Sequence, residues 1–164
     1  MSAIVTDQDV VFMRRALEEA GRAIAVGEVP IAAALVRDHK VLACSHNYRE
    51  AWQDPTAHAE LITIRAAAKN LGSWRLSDCT LYVTVEPCAM CLGAIILARI
   101  PRLVFGAWDL KAGACGSVLD FAQETRLNHR LSVIGGVLEE ESRALVQDFF
   151  RELRTERKSA PYME

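Results

Sequence analysis

Residues 80–106 read TLYVTVEPCAMCLGAIILARIPRLVFG, and the order of elements in this stretch decides the fold. Thr80 to Val85 alternates as a strand does. Glu86-Pro87 then opens a helix, since proline lacks an N–H and suits a first helical turn, and the apolar run carries it to about Ile100. Pro101 ends that pattern and marks the entry to a second strand, Leu103 to Gly106. The longest apolar run, Cys88 to Ala98, is well short of the roughly 18 residues that a membrane span requires, so it reads as a buried helix.

Outward from this unit the alternation continues. Upstream, Thr6 precedes an amphipathic helix with Val10, Met13, Leu17, Ala20 and Ile24 spaced three and four apart; Asp9 sits at the capping-box position and Gly27 stops the helix. Pro30 to Val36 is nearly all apolar, as in a strand covered on both faces, and Asp38-His39-Lys40 turns it into a second strand, Val41 to Ser45, predicting a hairpin. After a polar loop from Tyr48 to Asp54, a helix beginning near Pro55 carries Leu61, Ile64, Ala68 and Leu71 on one side. Downstream, the pattern predicts a loop from Ala107 to Ser117, a short helical piece, a strand at Leu131 to Ile134 and a helix from Glu139 to Arg157. No linker, internal repeat or low-complexity segment divides the chain. The expectation is an α/β fold of one domain, residues 1–158, with a mixed sheet covered by helices on both faces and a flexible tail at 159–164.

The 164 residues are 51% hydrophobic, enough for one domain to bury roughly 70% of its unfolded surface without disulfides. Nineteen basic against 21 acidic residues give a net charge of -2, which by itself points away from a nucleic-acid partner. One basic cluster, Arg151, Arg154, Arg157 and Lys158, falls on a single helical face near the C-terminus; it is either an RNA contact or a solvated face. Five cysteines, an odd number, and the lack of a secretory leader pattern predict a reducing, cytoplasmic setting.

The chemistry lies in two short motifs, His58-Ala59-Glu60 and Pro87-Cys88-Ala89-Met90-Cys91, which match the H-x-E and P-C-x-x-C signature of zinc nucleobase deaminases. Cys88 and Cys91 are three apart in the first turn of a helix, so both sulfurs face one side, where the helix N-terminus favours thiolate. His58 supplies a third donor, and a Cys2His set leaves the fourth tetrahedral position to water, as catalytic zinc sites do. Coordination lowers the pKa of that water from 15.7 toward about 7, making hydroxide available to attack an electron-poor ring carbon. Glu60 is close enough to take the water's proton, deliver it to the ring nitrogen and later help expel the exocyclic amine as ammonia. The competing readings are a redox pair or half of a structural zinc site, but no second C-x-x-C or H-x3-H exists to close one. Cys44, Cys79 and Cys115 lack ligand spacing and read as small buried hydrophobes, while His39 and His46 read as surface or packing residues.

Beyond these motifs the chain resembles the bacterial tRNA adenosine deaminases, the TadA family of the cytidine-deaminase superfamily, along nearly its whole length. The matching phrases are Glu28-Val29-Pro30, Asp54-Pro55-Thr56-Ala57-His58-Ala59-Glu60, Leu81 to Cys88, Val104-Phe105-Gly106-Ala107, the loop residues Asp109, Lys111, Gly113 and Gly116-Ser117, Asn128-His129-Arg130, and Asp148-Phe149-Phe150. The resemblance implies a three-layer cytidine-deaminase-like fold with a five-stranded sheet, a homodimer with one zinc ion per subunit, and conversion of adenosine to inosine at the wobble position of a tRNA anticodon stem-loop. It implies that hydroxide on zinc attacks C6, with Glu60 as proton shuttle. It also implies substrate contacts from Asn47, whose amide donates and accepts at once, and from Glu28, Asp109, Asn128 and Phe149. Phe149 reads equally as core, and Asn128-His129-Arg130 as a polar loop. One departure stands out: Trp108 precedes Asp109 where some members carry a basic residue, so it either stacks on a flanking nucleotide or shields a hydrophobic edge. The alternatives to RNA editing are deamination of a free nucleobase or nucleoside and a non-catalytic zinc module.

Overall fold

The computed structural model describes residues 4–159. Helix α1 (Asp7–Ile24) starts at a closed capping box: the Asp9 N–H donates to the Thr6 hydroxyl at 3.3 Å, and the Thr6 N–H donates back to the Asp9 carboxylate at 2.8 Å. Strands β1 (Ala32–Arg37) and β2 (Lys40–His46) form the expected hairpin, tightened by left-handed backbone at Asp38 (φ 49°) and His39 (φ 60°). Then come α2 (Arg49–Trp52), α3 (Ala59–Leu71), β3 (Thr80–Val85), α4 (Ala89–Leu97), β4 (Arg102–Ala107), β5 (Ser132–Ile134) and α5 (Glu139–Ser159). Residues 160–164 of the expected tail lie outside the described residues.

The sheet runs β2-β1-β3-β4-β5, with β1 antiparallel to both neighbours and β3, β4 and β5 parallel, so it is mixed and five-stranded as expected. Successive strand residues point to opposite faces, which is why this sheet has two cores. Leu81, Val83, Leu103 and Phe105 pack with Leu92 and Ile95 of α4 and Ile64 of α3. Tyr82, Val104 and Ile134 face Met13 and Ala16 of α1 on the other side. Helix α5 also covers that side, approaching so closely that a Cβ at Gly106 would collide with Ser142. Among the described residues no helix is long and apolar enough to cross a membrane.

Asp9 extends the capping box into the sheet. Its carboxylate accepts from the Tyr82 hydroxyl at 2.9 Å and from two nitrogens of Arg102 at 2.6 and 2.8 Å, tying α1 to β3 and β4. Burial pushes this carboxyl up, but the bonds from Arg102, Thr6 and Tyr82 outweigh it and hold it well below the usual carboxylate range.

Three expectations need correction. The polar loop expected from Tyr48 to Asp54 contains the single-turn helix α2, where the Trp52 N–H donates to the Tyr48 carbonyl at 3.0 Å and the Ala51 N–H to the Glu28 carboxylate at 2.7 Å. The helix expected from Pro55 begins at Ala59, because the Asp54 carboxylate accepts from the N–H of Thr56 at 2.8 Å and its hydroxyl at 2.7 Å, closing a turn before His58. The short helical piece expected after Ser117 does not form. There the N–H groups of Val118 and Leu119 both turn back to the Gly113 carbonyl at 3.0 and 3.1 Å, and both side chains stay exposed, giving no apolar face to bury. The three cysteines without ligand spacing are buried or half-buried; desolvation pushes Cys44 and Cys79 to about 11 and Cys115 to about 12. His46 is a packing residue, stacked on Tyr48 at 4.3 Å, and His39 is exposed in its turn.

Candidate active site

The two motifs meet beyond the C-terminal end of β3, the edge at which open α/β sheets place their sites. His58 is the N-cap residue of α3 and Cys88 that of α4; neither side chain caps its helix, so both donors remain available. Cys91 lies in the first turn of α4, fully buried. The His58 Nδ1 atom is 3.7 Å from the Cys88 sulfur and 3.5 Å from that of Cys91. A tetrahedral zinc with Zn–N of about 2.0–2.1 Å and Zn–S of about 2.3 Å requires N···S edges of about 3.6 Å, so the three donors fit that ion. Among the described residues they form the one cluster with metal-binding spacing, and no fourth protein ligand joins them.

The protonation of the trio follows from its contacts. The bond from Cys91, with help from His58, lowers the Cys88 thiol to about 4, and donating that bond pushes Cys91 up. His58 is raised by its contact with Cys88. Glu60, two residues along α3, is buried at 4% exposure and stands outside the three-donor cluster. Burial pushes its carboxyl up, favouring a group that holds and returns a proton.

Beside the cluster opens a groove of about 980 Å³, whose wall includes Asn47, Val85, Trp108, Asp109 and Phe150. Asn47 joins groove to cluster: buried at 4% exposure, its side-chain oxygen accepts the Ala59 N–H at 2.8 Å, between His58 and Glu60. Five cationic residues also line the groove, Arg49, Lys111, Arg143, Arg151 and Arg154, against the single carboxylate of Asp109. Arg143 pairs with Glu139 and Glu140, and Arg151 with Asp148. Arg49, Lys111 and Arg154 join no ion pair among the described residues, so the groove is positive although the chain is net acidic.

The other expected contacts fall in different places. The buried Glu28 accepts the Ala51 N–H at 2.7 Å and anchors α2, whose Arg49 lines the groove. Asp109 accepts the N–H groups of Lys111 and Ala112 at 2.9 and 3.2 Å, shaping the loop that carries it. Phe149 packs edge-on against Phe150 at 5.5 Å, and it is Phe150 that lines the groove. Asn128 accepts from Arg99 at 2.6 Å, at the far end of α4 from Cys88, so this chain does not bring it to the groove. Trp108 is 42% exposed on the groove wall and meets the ring of Phe105 edge-on at 4.8 Å.

Sequence reasoning missed Glu86 as a functional candidate. Its buried carboxylate accepts from the N–H groups of Asp109 (3.0 Å), Cys115 (2.9 Å) and Ser117 (3.1 Å), and from the Ser117 hydroxyl. A carboxylate directly before a proline that opens a buried helix was the available signal, since an acid so placed needs partners.

The sequence model of the MafB19-like deaminases matches residues 7–154. A tRNA-specific adenosine deaminase of Bacillus subtilis (strain 168) is 49% identical over 153 residues, covering 93% of this chain and 95% of that protein. A structure from studies of A-to-I editing by tRNA:A34 deaminases at the wobble position has TM-score 0.79 and 46% identity, over 82% of this chain and 98% of that one. A guanine deaminase structure from Bacillus subtilis is more distant, with TM-score 0.59 and 31% identity over 94% of this chain and 96% of that one. The fold is therefore the cytidine-deaminase-like one expected from the sequence. Shared along almost their entire lengths with nearly half the residues identical, this pattern places the chain in the family of tRNA-specific adenosine deaminases.

Proposed function

We propose that the protein is a cytoplasmic zinc enzyme, working as a homodimer, that converts adenosine to inosine at the first anticodon position of tRNA. The observation that carries the choice of RNA over a free base is the groove: it joins the His58/Cys88/Cys91 cluster through Asn47, and its cationic lining suits a phosphate backbone. His58, Cys88 and Cys91 would hold a zinc ion, which would lower the pKa of water at the site and so make it nucleophilic at neutral pH. Glu60 takes one proton of the attacking water and delivers it to the ring nitrogen beside C6, where it stays; it then carries the second proton, from the oxygen now on C6, to the exocyclic amine, which leaves as ammonia while the oxygen remains as a carbonyl. Asn47 presents its amide to the target nucleoside, while Asp109 and the aromatic edge of Trp108 face the nucleotides beside it. The target base leaves its stack to reach this buried chemistry, which single-stranded loop nucleotides do at little cost.

The test is direct. The purified, zinc-loaded protein is incubated in parallel with tRNA, an anticodon stem-loop, and free adenosine, guanine and cytidine, and inosine and ammonia are measured. Inosine at the wobble position of RNA is the expected result. Turnover of a free base or nucleoside with the RNA untouched would overturn it in favour of a small-molecule deaminase.

A further inference from the structure

Glu86 uses every oxygen it has on one segment. The N–H groups of Asp109, Cys115 and Ser117 and the Ser117 hydroxyl all donate to it, from positions 23 to 31 residues downstream. The backbone beside it holds the same segment: the Ala114 N–H donates to the Pro87 carbonyl at 2.9 Å and Cys88 forms an isolated bridge with Gly113, while the Glu86 N–H itself donates to the Ala107 carbonyl at the end of β4 at 2.8 Å. Gly113 is there because nothing larger fits; a Cβ would collide with the Glu86 carboxylate. The segment so held carries Trp108, Asp109 and Lys111 into the groove wall, yet residues 108–131 contain no strand or helix of their own to fix them. The carboxylate precedes Cys88 by two residues, so one short strip of backbone presents a metal ligand on one side and holds the groove wall on the other.

We infer that Glu86 is a positioning residue for substrate recognition: by binding the 109–117 segment it sets the groove wall at a fixed place beside the His58/Cys88/Cys91 cluster, so that substrate affinity depends on it while holding the metal does not. The inference rests on the proposed function for the identity of the substrate, an RNA loop. Two carboxylate oxygens accept all four bonds, whereas an amide in the same place offers one acceptor oxygen in place of two and turns an NH2 group toward the remaining donors, so it orders the segment less firmly. An interaction that places a wall for binding is made before and during reaction alike, so its loss raises KM and leaves kcat nearly unchanged.

The test compares wild type with Glu86→Gln, which keeps the shape, and Glu86→Ala, which does not. Zinc per chain, kcat and KM on an anticodon stem-loop, and hydrogen exchange at the Asp109, Cys115 and Ser117 amides are measured on each zinc-loaded protein. For Glu86→Gln the expected result is full zinc content, KM raised roughly tenfold to a hundredfold, kcat within about threefold of wild type, and faster exchange at those three amides. Glu86→Ala is expected to move further in the same direction; if it fails to fold, the glutamine variant decides alone. Loss of zinc in Glu86→Gln, a fall in kcat with KM unchanged, or unchanged exchange at the three amides would each overturn the inference. If wild type instead turns over a free nucleoside or base, the proposed function fails, and the same KM-against-kcat split measured on that substrate still decides the role of Glu86.

Discussion

Asp9→Asn is the perturbation whose cost the structure fixes most closely. The Asp9 carboxylate accepts from the Thr6 N–H (2.8 Å), the Thr6 hydroxyl (3.0 Å), the Tyr82 hydroxyl (2.9 Å) and two Arg102 nitrogens (2.6 and 2.8 Å), with its side chain 1% exposed and that of Arg102 26%. An amide is neutral and turns an NH2 group toward this ring of donors, so it can serve only part of it. Breaking one side of a buried pair costs about 3–5 kcal/mol, because the remaining charge is left without a partner. The damaged capping box, worth about 0.5–2 kcal/mol on its own, overlaps with that figure and places the expectation in its upper half. Urea unfolding of zinc-loaded protein is the assay; with a slope of about 2 kcal/mol per molar, the midpoint falls by about 2 M. A double variant adding Arg102→Met recovers part of the loss, since it removes the stranded charge as well. The pH dependence has a fixed sign: with the folded carboxyl held below its ordinary 3.8, the stabilisation is complete above about pH 4 and drains as acid takes the pH down through the folded value. The variant therefore approaches wild type only in strong acid. A deficit below about 1 kcal/mol at neutral pH, the size of an exposed ion pair, would refute the reasoning.

Glu60→Gln keeps the fold and one zinc per chain but lowers kcat at least about 10²–10⁴-fold, the worth of a placed proton carrier, and normal turnover would remove Glu60 from the mechanism. Arg151→Ala with Arg154→Ala weakens binding of an anticodon stem-loop and reduces the slope of log K against log salt by about 1.4, two phosphates at about 0.7 each; an unchanged slope discards this face of α5 as an RNA contact. Trp108→Ala weakens RNA binding by about 1–3 kcal/mol if its exposed indole stacks on a base, read by titration at constant salt. Equal affinity with lowered thermal stability assigns Trp108 to covering Phe105 instead.

How much of this was legible in the sequence depended on how far the partners lie along the chain. The strand, helix and strand of residues 80–106 and both motifs are local patterns, and each landed within a few residues of its predicted place. His58 and Cys88 are 30 residues apart, but each motif carries its own spacing, so the donor set could be assembled before the fold was known. Asp9 was visible as a capping residue through Thr6, three positions away, but its bonds to Tyr82 and Arg102 span 73 and 93 residues and leave no periodic trace. Glu86 was hidden for the same reason, with the further obstacle that three of its four donors come from backbone, which every residue type carries. The helix start near Pro55 was misplaced because Pro55 suits a first helical turn, whereas Asp54 bends the chain first. Charge counted over the whole chain concealed the cationic groove, whose residues are drawn from α2, the segment after β4, and α5.

The place of β3 in the middle of the sheet, hydrogen-bonded to β1 on one edge and β4 on the other, has an evolutionary consequence. The backbone leading to Cys88 is held at the centre of the sheet, while Trp108, Asp109 and Lys111 of the groove wall hang from a connecting segment whose opening disturbs less of the fold. Such a layout lets drift remodel which molecule is admitted while the reacting centre passes down a lineage unaltered, and new specificities can arise with the original chemistry intact.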